Sequence, residues 1–148
     1  MGSDLVSLAA MGFDSVGLDA SPSAVRHARS HESANIRIVN ADFFRWSPDE
    51  LFDVVYDKGF FHGLAGVRRR NTFLRRAAAT LRPGGIWITV CGSADHRRSD
   101  FCHGAIYLRD LIAPAEIYFE VIEVVKAAYG LADATRDFSA WHAGFRRR

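Results

Sequence analysis

The sequence predicts an α/β fold: a mostly parallel sheet with helices on both faces and an antiparallel strand at its C-terminal edge. Three observations lead there. Short apolar runs alternate with amphipathic helical stretches, the order that a parallel sheet with crossover helices requires. Two of the runs, "FDVVYDKG" and "GIWITVCG", are apolar at consecutive positions, as strands covered on both faces are. Two strand-like segments then close the chain with no helical pattern between them, so that pair is antiparallel.

Each element has a local reason. Residues 4–11 form a first helix: Leu5, Leu8 and Ala9 share a face, and Gly12 stops it. "DSVGLD" is a short apolar strand that ends on an acid, Asp19. Ser21 is an N-cap with Pro22 at the first helical position, which predicts a helix over residues 22–32. "NIRIVNAD" is a strand with Ile36, Ile38 and Asn40 on one face and Arg37 and Val39 on the other. "FDVVYDKG" is the third strand. "VRRRNTFLRRAAATL" is a helix that turns Val67, Phe73, Leu74 and Ala77 inward, and "RPGG" ends it before "GIWITVCG". Residues 107–118 read as a helix interrupted by Pro114. "FEVIEVVKAAYG" alternates with period two. "FSAWHAGFRRR" is the last strand, with Phe138, Ala140, His142 and Gly144 on one side and Trp141, Ala143 and Phe145 on the other.

Composition narrows the class. The 148 residues fit a single domain, and 49% hydrophobic with 24% charged residues is ordinary for a chain that buries a core. A net charge of +2 is too small to argue for nucleic acid. The arginine runs at residues 68–70 and 146–148 read as a solvated helix face and a frayed end. Cys91 and Cys102 form neither a metal-ligand spacing nor a disulfide framework, which fits a reduced, cytoplasmic setting. No apolar run is long enough to span a membrane, and neither an internal repeat nor a linker interrupts the chain.

The motifs, taken in order, resemble a class I S-adenosylmethionine-dependent methyltransferase, a seven-stranded Rossmann-like family. "VGLDASPSAVRHAR" is similar to its second strand and following helix. "NADFFRW" resembles the acidic-aromatic segment after its third strand. "FDVVYDKGFFHGL" resembles its fourth-strand motif, "LRPGGIWITV" the turn into its fifth strand, and "AWHAGFRRR" its terminal strand. "DFF" and "YDKGFFH" lean toward the thiopurine-methyltransferase-like branch.

The resemblance implies a cofactor, S-adenosyl-L-methionine, and a small-molecule methyl acceptor with a sulfur, nitrogen or oxygen nucleophile. It implies roles for named residues. Asp19, with Ala20 beside it, accepts from the ribose diol; its bland reading is an acid preceding the N-cap Ser21. Asp42 accepts from the adenine amine while Phe43 forms a flat wall and Phe44 points into the core; the alternative is an Asx turn with two core phenylalanines. Asp57, Lys58 and Gly59 lie under the methionine part of the cofactor and the acceptor, and Gly59 admits close approach. Otherwise Asp57 and Lys58 are an exposed ion pair. His62 is the titratable group near that strand end suited to act as a base; the alternative is a loop histidine with no chemical role. His96, Cys102 and His103 fall in a polar loop after the fourth strand, and their spacing is not that of a metal site.

One feature departs from the family. Gly2 matches the last glycine of the turn that follows the family's first strand, but that strand and its earlier glycines are absent. Three accounts are open: the chain is an N-terminally truncated piece of a longer enzyme, a second copy fills the gap as a homodimer, or the strands starting at Ser15 and Phe52 close up. Two functions follow. One is methyl transfer. The other is a non-catalytic remnant that binds a partner chain or a nucleoside weakly.

Overall fold

In a computed structural model of the chain, residues 2–95, 104–129 and 138–148 are described. His96, Cys102 and His103 lie outside the described residues. The chain divides into two compact units, residues 1–47 and 48–148.

The first unit holds helix α1 (Ser3–Ala10), strand β1 (Ser15–Asp19), helix α2 (Pro22–Ala28) and strand β2 (Ile36–Asn40). The expected helix over residues 22–32 ends its α-helical part early and finishes as a 3-10 turn, Arg29–His31. Its start is as expected: the Ser21 side chain accepts from the Ala24 N–H, with Pro22 in the first turn. β1 and β2 pair in parallel, Ser15 opposite Ile36 through Asp19 opposite Asn40. Val25, Ile36 and Ile38 form the buried core, with Leu5, Ala9 and Ala28 packed against it. Gly17 explains how α1 seats on β1. A Cβ there would run into the Leu5 side chain, so a bare backbone lets the helix approach.

The second unit holds β3 (Phe52–Lys58), α3 (Phe60–Gly63), α4 (Val67–Thr80), β4 (Leu81–Gly92), α5 (Leu108–Ala115), β5 (Phe119–Tyr129) and β6 (Phe138–Arg147). The sheet order is β3-β4-β6-β5. β3 and β4 are parallel, and β6 is antiparallel to both β4 and β5. The terminal strand is therefore not the edge that the sequence suggests. β5 docks one place farther out, and β6 fills the slot beside β4. Ala140, Ala143 and Phe145 of β6 are fully or almost fully buried, and a strand that deep needs a ladder on each side to satisfy its backbone.

The core of this unit is aromatic. Phe61, Phe73, Trp87, Phe119 and Phe145 are all at most 2% exposed. The Trp87 ring stacks on Phe145 at 4.7 Å and 18° and meets Phe61, Phe73 and Phe119 at 5.3–5.5 Å. Rings in contact at these distances stabilise beyond their buried area. α3 and α4 pack on β3 and β4, while α5 packs on α4 and β5.

Several details correct the sequence reading. Val67 is 63% exposed and takes no part in the inward face of α4, which consists of Phe73, Leu74, Ala77, Ala78 and Thr80. "RPGG" does not separate α4 from the next strand. The ladder already includes Leu81 opposite Phe52, then bulges before Val54 pairs with Ile86. Gly84 takes a φ of 76° within that bulge. Pro114 sits inside α5 without interrupting it: the helix gives up the N–H bond to the Asp110 carbonyl and ends one residue later, at Ala115. β3 is not covered on both faces: Val54 and Tyr56 are exposed on the same face as Ile88, while Asp57 on the other face is buried. The last arginines are not a frayed end. The Arg147 guanidinium donates to the Leu81 carbonyl and the Arg148 Nε to the Phe119 carbonyl at 3.0 Å. Finally, among the described residues β1 has one ladder partner and β3 has one.

Candidate functional site

The candidate residues sit at the C-terminal ends of parallel strands, where open α/β sheets bind their ligands. In the first unit the ends of β1 and β2 are tied together. The Asp19 carbonyl accepts from the Ala41 N–H at 3.1 Å and from Asn40 Nδ2 at 2.9 Å. The Asp19 side chain turns up from this junction, and its Oδ1 accepts from the Ser21 N–H at 2.8 Å. Both readings of Asp19 are thus compatible: one oxygen supports the helix start, and Oδ2 has no partner among the described residues. Ala20, beside it, is exposed.

Asp42 makes the Asx turn. Its Oδ1 accepts from the Phe44 N–H at 2.9 Å, and its carbonyl accepts from the Arg45 and Trp46 N–H groups at 2.9 and 2.8 Å. The chain therefore bends at residues 43–45 instead of running on as a strand. The expectation that Phe43 and Phe44 diverge to opposite sides rested on an extended backbone. In the turn both rings are half-buried and meet edge-on at 6.0 Å and 76°.

Gly2 caps α1 with a φ of 86°, and its carbonyl accepts from the Leu5 and Val6 N–H groups. A Cβ at this position would lie 2.8 Å from the His31 ring. Both the left-handed backbone and the close approach require glycine.

In the second unit β3 ends in Asp57, Lys58 and Gly59. Alternation separates the first two: Lys58 is exposed, whereas Asp57 is buried, so the exposed ion pair between them does not exist. Asp57 Oδ1 accepts from the Phe61 N–H at 3.0 Å and Oδ2 from Trp87 Nε1 at 2.8 Å. Burial pushes its carboxyl above the ordinary 3.8, against the pull of these hydrogen bonds. Its carboxylate clamps β3, α3 and β4 together rather than reaching outward. Gly59 takes a φ of 90° and donates its N–H to the Val90 carbonyl at 2.9 Å, which turns the chain from β3 into α3.

His62 is buried, and its Nδ1 accepts from the Gly92 N–H at 3.0 Å. The ring is therefore neutral with its proton on Nε2, and the lone pair that a base at Nδ1 needs is taken. Gly104, at a φ of 85°, packs so closely on the His62 carbonyl that a Cβ would collide with it. Desolvation lowers the His62 pKa below its ordinary 6.5. The stability that depends on the neutral ring is complete above pH 6.5 and is lost as pH falls through the lower folded value. We expect the stability difference between the wild-type chain and His62→Gln, measured from urea midpoints, to shrink between pH 7.5 and pH 5. A difference independent of pH over that range would show that the ring is not held neutral.

The partners of these groups escaped sequence reasoning. Trp87 and Gly92 lie 30 residues from Asp57 and His62. "GIWITVCG" signals a buried strand and says nothing about an indole donor. Among the described residues no cluster of three or more His, Cys, Asp or Glu side chains is placed to hold a metal ion, and no helix is long and apolar enough to cross a membrane.

Residues 1–85 match the profile of a family described as a methyltransferase domain. Over 102 residues the chain is 34% identical to probable thiol methyltransferase 2 of Arabidopsis thaliana, an alignment covering 65% of this chain and 44% of that one. Over 94 residues it is 33% identical to thiocyanate methyltransferase 1 of Brassica oleracea, covering 60% and 41%. The chain spans less than half the length of these curated relatives. The N-methyltransferase NodS of Bradyrhizobium japonicum, solved in complex with S-adenosyl-l-homocysteine, is similar with a TM-score of 0.76 at 22% identity, over 99% of this chain and 72% of that one. A structure concerned with conversion of a disulfide bond into a thioacetal group during echinomycin biosynthesis is similar with a TM-score of 0.80 at 24% identity, over 99% and 71%. At such identities these likenesses speak for the fold, a Rossmann-like α/β arrangement with a mixed sheet.

Proposed function

The chain belongs to the methyltransferase domain family, and from this we infer that it is one methyltransferase-like domain of an enzyme that moves a methyl group from S-adenosyl-L-methionine to a small sulfur nucleophile. The observation that carries the reading is the Asp19 carboxylate at the end of β1. One of its oxygens is fixed by the Ser21 N–H, and the other has no partner among the described residues. A diol is the ligand group that such a prepositioned acceptor suits. The sulfur acceptor rests on the names of the relatives, a thiol and a thiocyanate methyltransferase.

The residues fit the cofactor in kind. Asp19 and Ala20 would hold the ribose. Asp42, whose Oδ1 is engaged in the turn, would offer its other oxygen to the adenine amine, with Phe43 as an apolar wall. Gly2 would bring bare backbone close to the methionine part; in the second unit, taken by itself, Lys58 and Gly59 end β3 where that group and the acceptor are expected. When bound, the cofactor supplies a methyl group on a sulfonium, which an already nucleophilic sulfur attacks without a base. The protein's work is then positioning and exclusion of water. His62 contributes by holding the turn after β3 against Gly92, as a positioning residue. The two cysteines of the sequence, which make no disulfide framework by spacing, support the reading of a reduced, cytoplasmic setting.

Among the described residues β1 pairs with β2 alone and β3 with β4 alone, and this favours a second reading, a weak-binding scaffold until a further strand pairs with such an edge, from an N-terminal extension or a second copy. Calorimetric titration with S-adenosylhomocysteine, on this chain and on an N-terminally extended one, separates the two. Much tighter binding by the extended chain supports the enzyme. No binding by either overturns it. Sedimentation of this chain reports the homodimer directly.

A further inference from the structure

We propose that a basic cavity in the second unit binds a phosphomonoester carrying a small apolar group. The cavity holds about 330 Å³ and lies between α4, the turn from α5 into β5, and the end of β6. The end of β6 lies beside the start of β4, with Arg146 opposite Ile86, so the cavity opens at the end of the sheet opposite Gly59 and Gly92. It is independent of the methyl-transfer reading.

Three arginines, Arg75, Arg147 and Arg148, line it, and no Asp or Glu does. Two of the three are held in place by the fold. Arg147 donates to the Leu81 carbonyl, and Arg148 donates through Nε to the Phe119 carbonyl at 3.0 Å and through its main chain to the Tyr118 carbonyl at 3.1 Å. A guanidinium carries five N–H donors, so each keeps most of them after one such bond. Two acids flank the lining residues along the chain, Glu116 and Glu120; neither lines the cavity, and Glu120 is paired with Arg146. Like charges gathered round one space disfavour each other, and an anion placed there relieves the repulsion.

The form of the anion follows from the lining. A carboxylate occupies one guanidinium with its two oxygens. A phosphate monoester presents three terminal oxygens and close to two charges, so it engages more than one guanidinium at once. Ala78, Ile117 and Tyr118 supply an apolar wall. A volume of about 330 Å³ is at the lower end of small-ligand sites, enough for a phosphate and one ring.

Calorimetry with phenyl phosphate tests this, with inorganic phosphate and phenol as comparison ligands. Phenyl phosphate should bind more tightly than either, because each lacks half of what the lining offers. Arg75→Gln should weaken phenyl phosphate by about five- to tenfold, as loss of one charged fork at a partly open site does. Ala79→Glu, which brings a carboxylate to the rim from an exposed position on α4, should abolish binding. Both positions are exposed on a helix, and a thermal melt checks that each variant folds. Equal binding by both variants and the wild-type chain, or phenyl phosphate binding no better than phenol, would overturn the proposal.

Discussion

Trp87→Ala is expected to destabilise the second unit by about 3–5 kcal/mol, the range for emptying a large aromatic site in a packed core. Trp87 is fully buried and touches four other rings, so the space it leaves cannot be closed by the movement of one neighbour. It also donates to Asp57, so the substitution strips a buried carboxylate of a hydrogen-bond donor. Trp87→Phe separates the terms. It keeps most of the ring and removes the donor, and should cost about 1–3 kcal/mol. Asp57 would then titrate higher still, because burial already raises it and one opposing hydrogen bond is gone. The sign follows: a raised folded value means that stability is greatest with the carboxyl protonated and declines as pH rises through that value. Urea unfolding of both variants, with the Asp57 carboxyl followed by NMR, checks the size and the direction. A loss below about 1 kcal/mol for Trp87→Ala would mean that the rings do not form one cooperative core.

Asp19→Ala is expected to weaken S-adenosylhomocysteine by about 1.5–3 kcal/mol, roughly ten- to 150-fold, as loss of a charge-assisted acceptor does. The same change removes the acceptor for the Ser21 N–H, so part of any effect could come from a looser start of α2. Asp19→Asn keeps an oxygen for Ser21 and discards the charge. If Asp19 holds the ribose, the asparagine variant should bind more weakly than wild type while melting at nearly the same temperature. Calorimetry on the N-terminally extended chain gives the affinities. Wild-type affinity in both variants would remove Asp19 from the site.

What sequence alone determined is what neighbours along the chain decide. Strand-helix alternation set the fold class. Ser21 and Pro22 announced the start of α2, because a cap is a contact across three residues. Asp19 was legible as a strand-end acid and Gly2 as a turn glycine, because their backbone requirements are local; Gly59 was legible as a glycine for close approach, and the structure adds its left-handed turn. The Asx turn at Asp42 was legible as a stated alternative because its hydrogen bond to Phe44 spans two residues and forms at little entropic cost.

Tertiary structure decided the rest, because it depends on groups far apart in the chain. Asp57 turned inward because Trp87 and Phe61 offered donors that hold its carboxylate in the core. His62 became an acceptor because β4 delivers the Gly92 N–H to its ring. β6 entered the sheet between β4 and β5 because its buried face needs a ladder on each side. Arg147 and Arg148, a solvated tail by sequence, became the wall of a cavity because β6 ends where the carbonyls of Leu81 and Phe119 are waiting. Sequence pattern reports which side chains avoid water. Which donor meets which acceptor is settled only when the sheet brings distant strands into register.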